Sequence, residues 1–166
     1  AESLSQQAAH LVEAVGVYDP ADHHSDDGAD YNFIAHMIEV EVDQDTGQVR
    51  PIEVVTTADV GTIINPIAYQ GQLDGGFVYG YGQAMTEELI HDDGKIVTSS
   101  LAEYKLPTQM DIPPIRMIQI PANVGPGPFG AKSVGENTNI GVGGAIANAI
   151  FDAVGVWINA SPITAE

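Results

Sequence analysis

Between Pro66 and Leu89 the chain reads PIAYQGQLDGGFVYGYGQAMTEEL, a helical pattern with glycine at positions 71, 75, 76, 80 and 82. Asn65-Pro66 opens it as a helix start, with proline allowed in the first turn. Each interior glycine costs a helix up to about 1 kcal/mol relative to alanine. A helix that keeps these glycines is expected to have another backbone, or a ligand, pressed close against it. That requirement constrains the rest of the fold: this helix needs a close neighbour, whether chain or ligand.

The flanking sequence supplies the other elements. Ile38, Val40 and Val42 alternate with Glu39, Glu41 and Asp43, the period-2 pattern of a half-buried strand. Asp45-Thr46-Gly47 then turns the chain into a second strand, VRPIEVVTTADV, predicting a hairpin. Leu4, Ala8, Leu11, Val12 and Val15 share one face of a predicted helix over residues 4–15, and the acidic stretch YDPADHHSDDGADYN after it reads as exposed loop. Downstream come an Asp92-Asp93-Gly94 turn, a short KIVTSS strand, an extended proline-broken run YKLPTQMDIPPI and a strand RMIQIP. A Gly/Pro loop then spans residues 121–135, and a helix is predicted from near Asn137 to Val154. There is no internal repeat and no low-complexity linker. Strands and helices do not alternate strictly, so the predicted class is α+β, a mixed sheet with packed helices, in one domain over residues 1–166.

Composition excludes several functions. The chain has 23 acidic residues against 5 basic ones, a net charge of −18, which argues against a nucleic-acid backbone or an anionic membrane surface as partner. This charge fits either a solvated acidic surface or a docking face for a basic subunit. No apolar run approaches the roughly 18–20 residues needed to cross a bilayer. The start AESLSQQAAH has neither the basic nor the apolar part of a signal peptide, which leaves open an upstream piece already removed; a cytoplasmic location is expected. Cysteine is absent, which excludes disulfides and thiolate-held iron–sulfur clusters on this chain.

Two motifs are set aside. Gly125, Gly127 and Gly130 formally satisfy GxGxxG, but Pro126 and Pro128 fill the intervening positions and no helix opens within it, so it reads as a loop. His23-His24 among Asp22, Asp26 and Asp27 are metal-ligand types, yet adjacent side chains in an acidic loop rarely converge on one ion. His10, His36 and His91 have no spacing that suggests ligation.

A third segment, GPFGAKSVGENTNIGVGGAIANAIFDAVG, delivers Glu136 from a glycine-rich loop to the predicted start of a helix. Backbone N–H groups of residues 131–135 can face an acceptor-rich ligand. Two readings of Glu136 stay open on this pattern. It is either a carboxylate at a helix N-terminus, worth about 0.3–1 kcal/mol against the helix dipole, or a general base at a site crowded by backbone.

AKSVGENTN followed by AIANAIFDAVGV resembles the C-terminal signature of the xanthine dehydrogenase/aldehyde oxidase family of molybdenum hydroxylases. The stretch from EVEVDQDTGQVRPIEVVTTADVGTIINP through the Gly-Gln helix to QAMTEEL is similar to that family too, as are SLAEYKLPTQMDIPPI and the terminal SPIT. The likeness runs in one order over about residues 33–164. It implies that the chain is the C-terminal part of a molybdopterin-binding large subunit, with Glu136 as the base that takes a proton from a molybdenum-bound hydroxyl. An electron-poor carbon of an N-heterocycle or aldehyde would then be hydroxylated. The resemblance places Gln72 near the metal and pterin, and the backbone amides of Lys132, Ser133, Val134 and Gly135 around the pterin. It further implies a molybdenum–molybdopterin cofactor, with or without a nucleotide, shared with another chain. Iron–sulfur and FAD groups would sit on partner subunits of a heteromer, and the chain would be inactive alone. Two departures stand out. Asn137, Thr138 and Asn139 occupy positions where family members often carry proline, and the family's molybdenum-binding regions are much longer. The first departure leaves room for a scaffold subunit that takes no part in catalysis.

Overall fold

In the computed structural model of the chain, residues 15–17, 31–120, 122 and 124–165 are described. The predicted helix over 4–15 and the His23-His24 loop lie outside them; of that helix only Val15 is described, exposed and without regular structure. The alternating stretch forms β1 (Phe33–Val42), and the turn at Asp45–Gly47 returns the chain as β2 (Val49–Asp59). The pair is antiparallel, with Phe33 opposite Asp59 and Val42 opposite Val49. The register shifts between Glu39 and Val40, where β2 carries one extra residue beside Pro51. A bulge suits proline, which has no N–H to give to a ladder.

Helix α1 (Pro66–Met85) follows. The Asn65 side chain accepts from the N–H groups of Ile67 and Ala68, both at 3.1 Å, satisfying donors that the helix start leaves open. The sequence pattern carried this helix to Leu89. It stops at Met85 because the N–H groups of Thr86 and Glu87 both fold back on the Gly82 carbonyl. Two-residue strands β3 (His91–Asp92) and β4 (Lys95–Ile96) flank Asp93 and Gly94, both at positive φ as a tight hairpin turn requires. The longer strand expected over KIVTSS does not form beyond Ile96. The YKLPTQMDIPPI run is not simply extended either. Asp111 accepts from the Thr108 N–H and hydroxyl, both at 2.7 Å, and holds a turn there. Strand β5 (Ile115–Gln119) then pairs in parallel with β2, giving a mixed three-stranded sheet in the order β1-β2-β5.

Ile38, Val54, Thr56 and Ala58 are buried on the sheet's inner face, and Phe33, Met37 and Ile118 are exposed on the other. Helix α1 lays a stripe of Tyr69, Leu73, Phe77, Tyr81 and Ala84 into the core. Fully burying a side chain such as Leu73 or Phe77 contributes about 1.5–3 kcal/mol. Helix α2 (Val142–Val154) closes the same core with Val142, Ile146 and Ile150, and Gly155 in the left-handed region ends it.

The C-terminal helix starts later than the sequence pattern suggested. Residues Asn137–Asn139 form a 3-10 turn, Ile140 is extended, and Gly141 at φ 86° caps α2. Glu136 therefore precedes a single short turn rather than a helix with a developed dipole, and the dipole reading of this carboxylate loses its basis.

The glycines of α1 divide into three groups, Gly82 standing apart because a Cβ there would strike the Glu87 carboxylate. A Cβ on Gly76 would strike the Thr138 hydroxyl, and one on Gly80 would lie 2.6 Å from Val142 Cβ and 2.8 Å from the Asn139 carbonyl. Gly71 and Gly75 face open space. The expected close backbone approach is thus real at positions 76 and 80. In thermal or denaturant unfolding, Gly75→Ala should stabilise by about 0.5–1 kcal/mol, whereas Gly80→Ala should destabilise by about 1–3 kcal/mol through overpacking.

Candidate active site

The glycine-rich loop is held to the end of β2 by backbone. Gly61 (φ +66°) forms an isolated bridge with Ala131, the Thr62 N–H donates to the Gly130 carbonyl at 3.0 Å, and the Lys132 N–H donates to the Val60 carbonyl at 2.9 Å. The Gly130 carbonyl occupies the space a Cβ on Gly61 would need. Within the loop, Gly125 and Gly127 press against the Ala131 carbonyl, and Pro128–Gly130 form a 3-10 turn. The GxGxxG glycines thus serve a tight self-closing loop, with no helix opening among them.

Lys132 anchors this loop a second time. Its Nζ donates to Asp59 Oδ2 and to the Tyr31 carbonyl, each at 2.9 Å, with its side chain only 5% exposed. The Gly61 N–H and then Lys132 hold the Asp59 carboxyl below its ordinary pKa. Next along the chain, Asn32 Nδ2 donates to the Ser133 carbonyl at 2.9 Å and to its hydroxyl at 3.2 Å. The Gly135 N–H donates to Asn137 Oδ1 at 2.9 Å. Of the four amides expected to face a cofactor, those of Lys132 and Gly135 are therefore committed inside the chain. No hydrogen bond among the described residues engages the N–H of Ser133 or Val134, and both residues are exposed.

Glu136 follows at φ −93°, ψ 13°, in the sparsely populated bridge region where active-site residues often sit. Its carbonyl accepts from the Asn139 N–H at 3.0 Å, while its side chain is exposed, with no hydrogen bond to another described residue. Thr138 is fully buried and donates its hydroxyl to the Leu73 carbonyl at 2.9 Å. Leu73 is the neighbour of Gln72, which is exposed on α1. The turn that carries Glu136 is thus bound to the turn of α1 that carries Gln72.

His36 holds the far end of the same turn. Its Nε2 donates to the Ile140 carbonyl at 3.2 Å, and its Nδ1 lies 3.0 Å from the Thr56 hydroxyl, an arrangement a neutral imidazole satisfies. Burial pushes its pKa below the ordinary histidine value, against the opposing pull of nearby backbone, the Ile140 carbonyl first. The sequence does not mark His36 and Thr138 as functional, since His36 has no ligand spacing and Thr138 is not a base. The available signal was the placement of His36 between Ile34 and Ile38 on the buried face of an alternating strand.

Among the described residues no three His, Asp or Glu side chains converge as a metal site. The donor set is backbone N–H, an amide side chain and one exposed carboxylate. That set suits an acceptor-rich organic ligand rather than a bare cation.

A family model described as "Molybdopterin cofactor-binding domain" matches residues 2–113. The chain belongs to this family of the molybdenum hydroxylases. It is 36% identical over 134 residues to the xanthine dehydrogenase molybdenum-binding subunit of Escherichia coli O157:H7, covering 80% of this chain and 18% of that protein. It is 37% identical over 138 residues to the aldehyde oxidoreductase molybdenum-binding subunit PaoC of Escherichia coli (strain K12), covering 81% of this chain and 19% of that one. Among solved structures it is similar to quinoline 2-oxidoreductase from Pseudomonas putida 86, with a TM-score of 0.70, 35% identity, and coverage of 76% of this chain and 16% of that one. The chain thus spans less than a fifth of these relatives. The mixture of strands and helices agrees with the α+β class and is similar to a segment of that solved structure, and among the described residues no helix is long and apolar enough to cross a membrane.

Two outcomes test this geometry. Lys132→Met leaves the Asp59 carboxylate in a largely closed site without its cation, and denaturant unfolding should show a loss of about 3 kcal/mol. His36 binds a proton less readily folded than unfolded. Its contribution to stability is therefore full above pH about 6.5 and is lost as pH falls through the lowered folded value. The NMR titration of its imidazole should show a midpoint below that of a free histidine.

Proposed function

We propose that this chain contributes the base-bearing edge of the active site in a molybdenum hydroxylase, as the C-terminal part of its molybdopterin-binding subunit. Glu136 is the catalytic base, Gln72 faces the cofactor, and the loop from Lys132 to Gly135 lies along the pterin. The observation that carries this reading is the Thr138–Leu73 hydrogen bond, which brings the segments of two exposed, chemically competent side chains together. Of the loop, the Ser133 and Val134 amides are the donors left to a ligand, while Lys132 and Gly135 shape the backbone that presents them.

When bound, a molybdenum–molybdopterin group, in plain or dinucleotide form, supplies the two-electron sink and the site at which water becomes acidic enough to react. The chain's own part is proton handling and placement. The Glu136 carboxylate accepts a proton at an Oε atom, with no partner among the described residues to compete for it. The Gln72 side chain offers two N–H donors and an acceptor oxygen to a polar ligand. The substrate class is an N-heterocycle or an aldehyde, in keeping with relatives named for xanthine, quinoline and aldehydes.

The chain does not complete such a site by itself. It spans under a fifth of its relatives' length, and among the described residues Phe33, Met37 and Ile118 are exposed on the outer sheet face. Apolar surface of this kind marks contact with further protein. The proposed setting is a heteromer with another molybdopterin-binding chain and with iron–sulfur and FAD-bearing subunits, in the cytoplasm, and with no activity in this chain alone. A non-catalytic scaffold role is the second reading, favoured by the internal commitment of the Lys132 and Gly135 amides. Glu136→Gln separates the two. In an assembled, metal-loaded complex it should lower turnover by about 100- to 10,000-fold, the range for loss of a general base. Unchanged turnover would remove Glu136 from the base role and leave the scaffold.

A further inference from the structure

The turn that carries Glu136 is fixed to α1 by Thr138. This residue is fully buried, its hydroxyl reaches the Leu73 carbonyl, and its side chain fills the hollow that Gly76 leaves by having no Cβ. A carbonyl has two lone pairs, so Leu73 can accept this bond beside the helix's own ladder. Glu136 lies two residues before Thr138 and Gln72 one residue before Leu73. Both side chains are exposed, so packing does not hold them, and this bond fixes the relative position of the two backbone segments that carry them. The Asn139 N–H to Glu136 carbonyl bond closes the turn around Thr138, so a displacement there is passed on to Glu136.

We propose that Thr138 is a positioning residue whose hydroxyl bond to the Leu73 carbonyl sets Glu136 in register with Gln72. The inference rests on the reading of Glu136 as the base. A packing role alone would need the volume of Thr138 and not its hydroxyl. Valine keeps the volume and cannot donate, while serine keeps the donor and gives up a methyl group. Misplacing a catalytic group by about 1 Å can cost 100-fold in rate.

The test uses the assembled, metal-loaded complex carrying Thr138→Val, Thr138→Ser or Glu136→Gln, with metal content measured for each. Thr138→Val should lower kcat by about 10- to 100-fold with KM unchanged, and Thr138→Ser should restore most of that loss. Hydrogen exchange of the amides from Gly135 to Ile140 should quicken at least about tenfold in the valine variant, as expected when local opening becomes easier, with β1 and β2 unchanged. Equal kcat and equal exchange in the valine variant, with Glu136→Gln inactive, would overturn the positioning role and leave the base in place. Full turnover in Glu136→Gln would overturn the base reading, and with it the catalytic meaning of the register. If the valine variant does not assemble, serine decides. Wild-type kcat and exchange there uphold the hydroxyl's role, and a large loss of kcat in Thr138→Ser assigns Thr138 to packing and overturns it.

Discussion

The structure depends on one close approach, that of the 137–142 backbone to the glycine face of α1. With no side chain at positions 76 and 80, the helix surface there is bare backbone, and Thr138, Asn139 and Val142 lie directly on it. Any larger residue would lift this segment away by the width of a methyl group or more. Two consequences follow from the same contact. Val142 is carried into the core beside Phe77 and Tyr81, which starts α2 against the sheet. Thr138 reaches the Leu73 carbonyl, which fixes the exposed turn before it. Core packing and the candidate site therefore rest on the same two glycines.

A second constraint acts at the other end of the loop. The Lys132–Asp59 pair, the Gly61–Ala131 bridge and the Lys132 N–H to Val60 bond tie the loop to the end of β2. A buried pair of this kind adds little net stability over an apolar substitute, but it demands one arrangement of the chain. Between this anchor and Thr138, residues 133–136 form a short exposed span with both ends fixed. Such a span has little conformational freedom left to lose when a ligand binds, which is what a preorganised site requires.

Much of the architecture was legible in the sequence because it rests on local patterning. Alternation fixed β1, Asn65-Pro66 began α1, and the glycine series announced a close neighbour. The boundaries that shifted are set by single contacts the pattern does not contain. Helix α1 ends where the Gly82 carbonyl takes two N–H groups, and α2 starts late because Gly141 adopts a left-handed conformation. At the candidate site, the glycine-rich approach to Glu136 could be read directly. The internal use of the Lys132 and Gly135 amides could not, because their partners, Val60 and Asn137, follow from the folded path of the loop. His36 was hidden for a different reason: a histidine on a strand declares its role only once the carbonyl opposite it is known.

Charge bears on how such a site is completed. Among the five basic residues of the chain, Lys132 is enclosed with Asp59, while Arg50 pairs with Glu41 and Arg116 with Glu53 on the surface. Lys95 lies on the β3–β4 hairpin and Lys105 in the segment after it, away in sequence from the loop. At a net charge of −18, the chain's average field repels an anion such as a pterin phosphate. The amides of Ser133 and Val134 can accept such a group by direct hydrogen bonding, but they carry only partial charge. On the proposed reading, this chain orients the ligand and handles the proton, and the compensating positive charge comes from the protein beyond it.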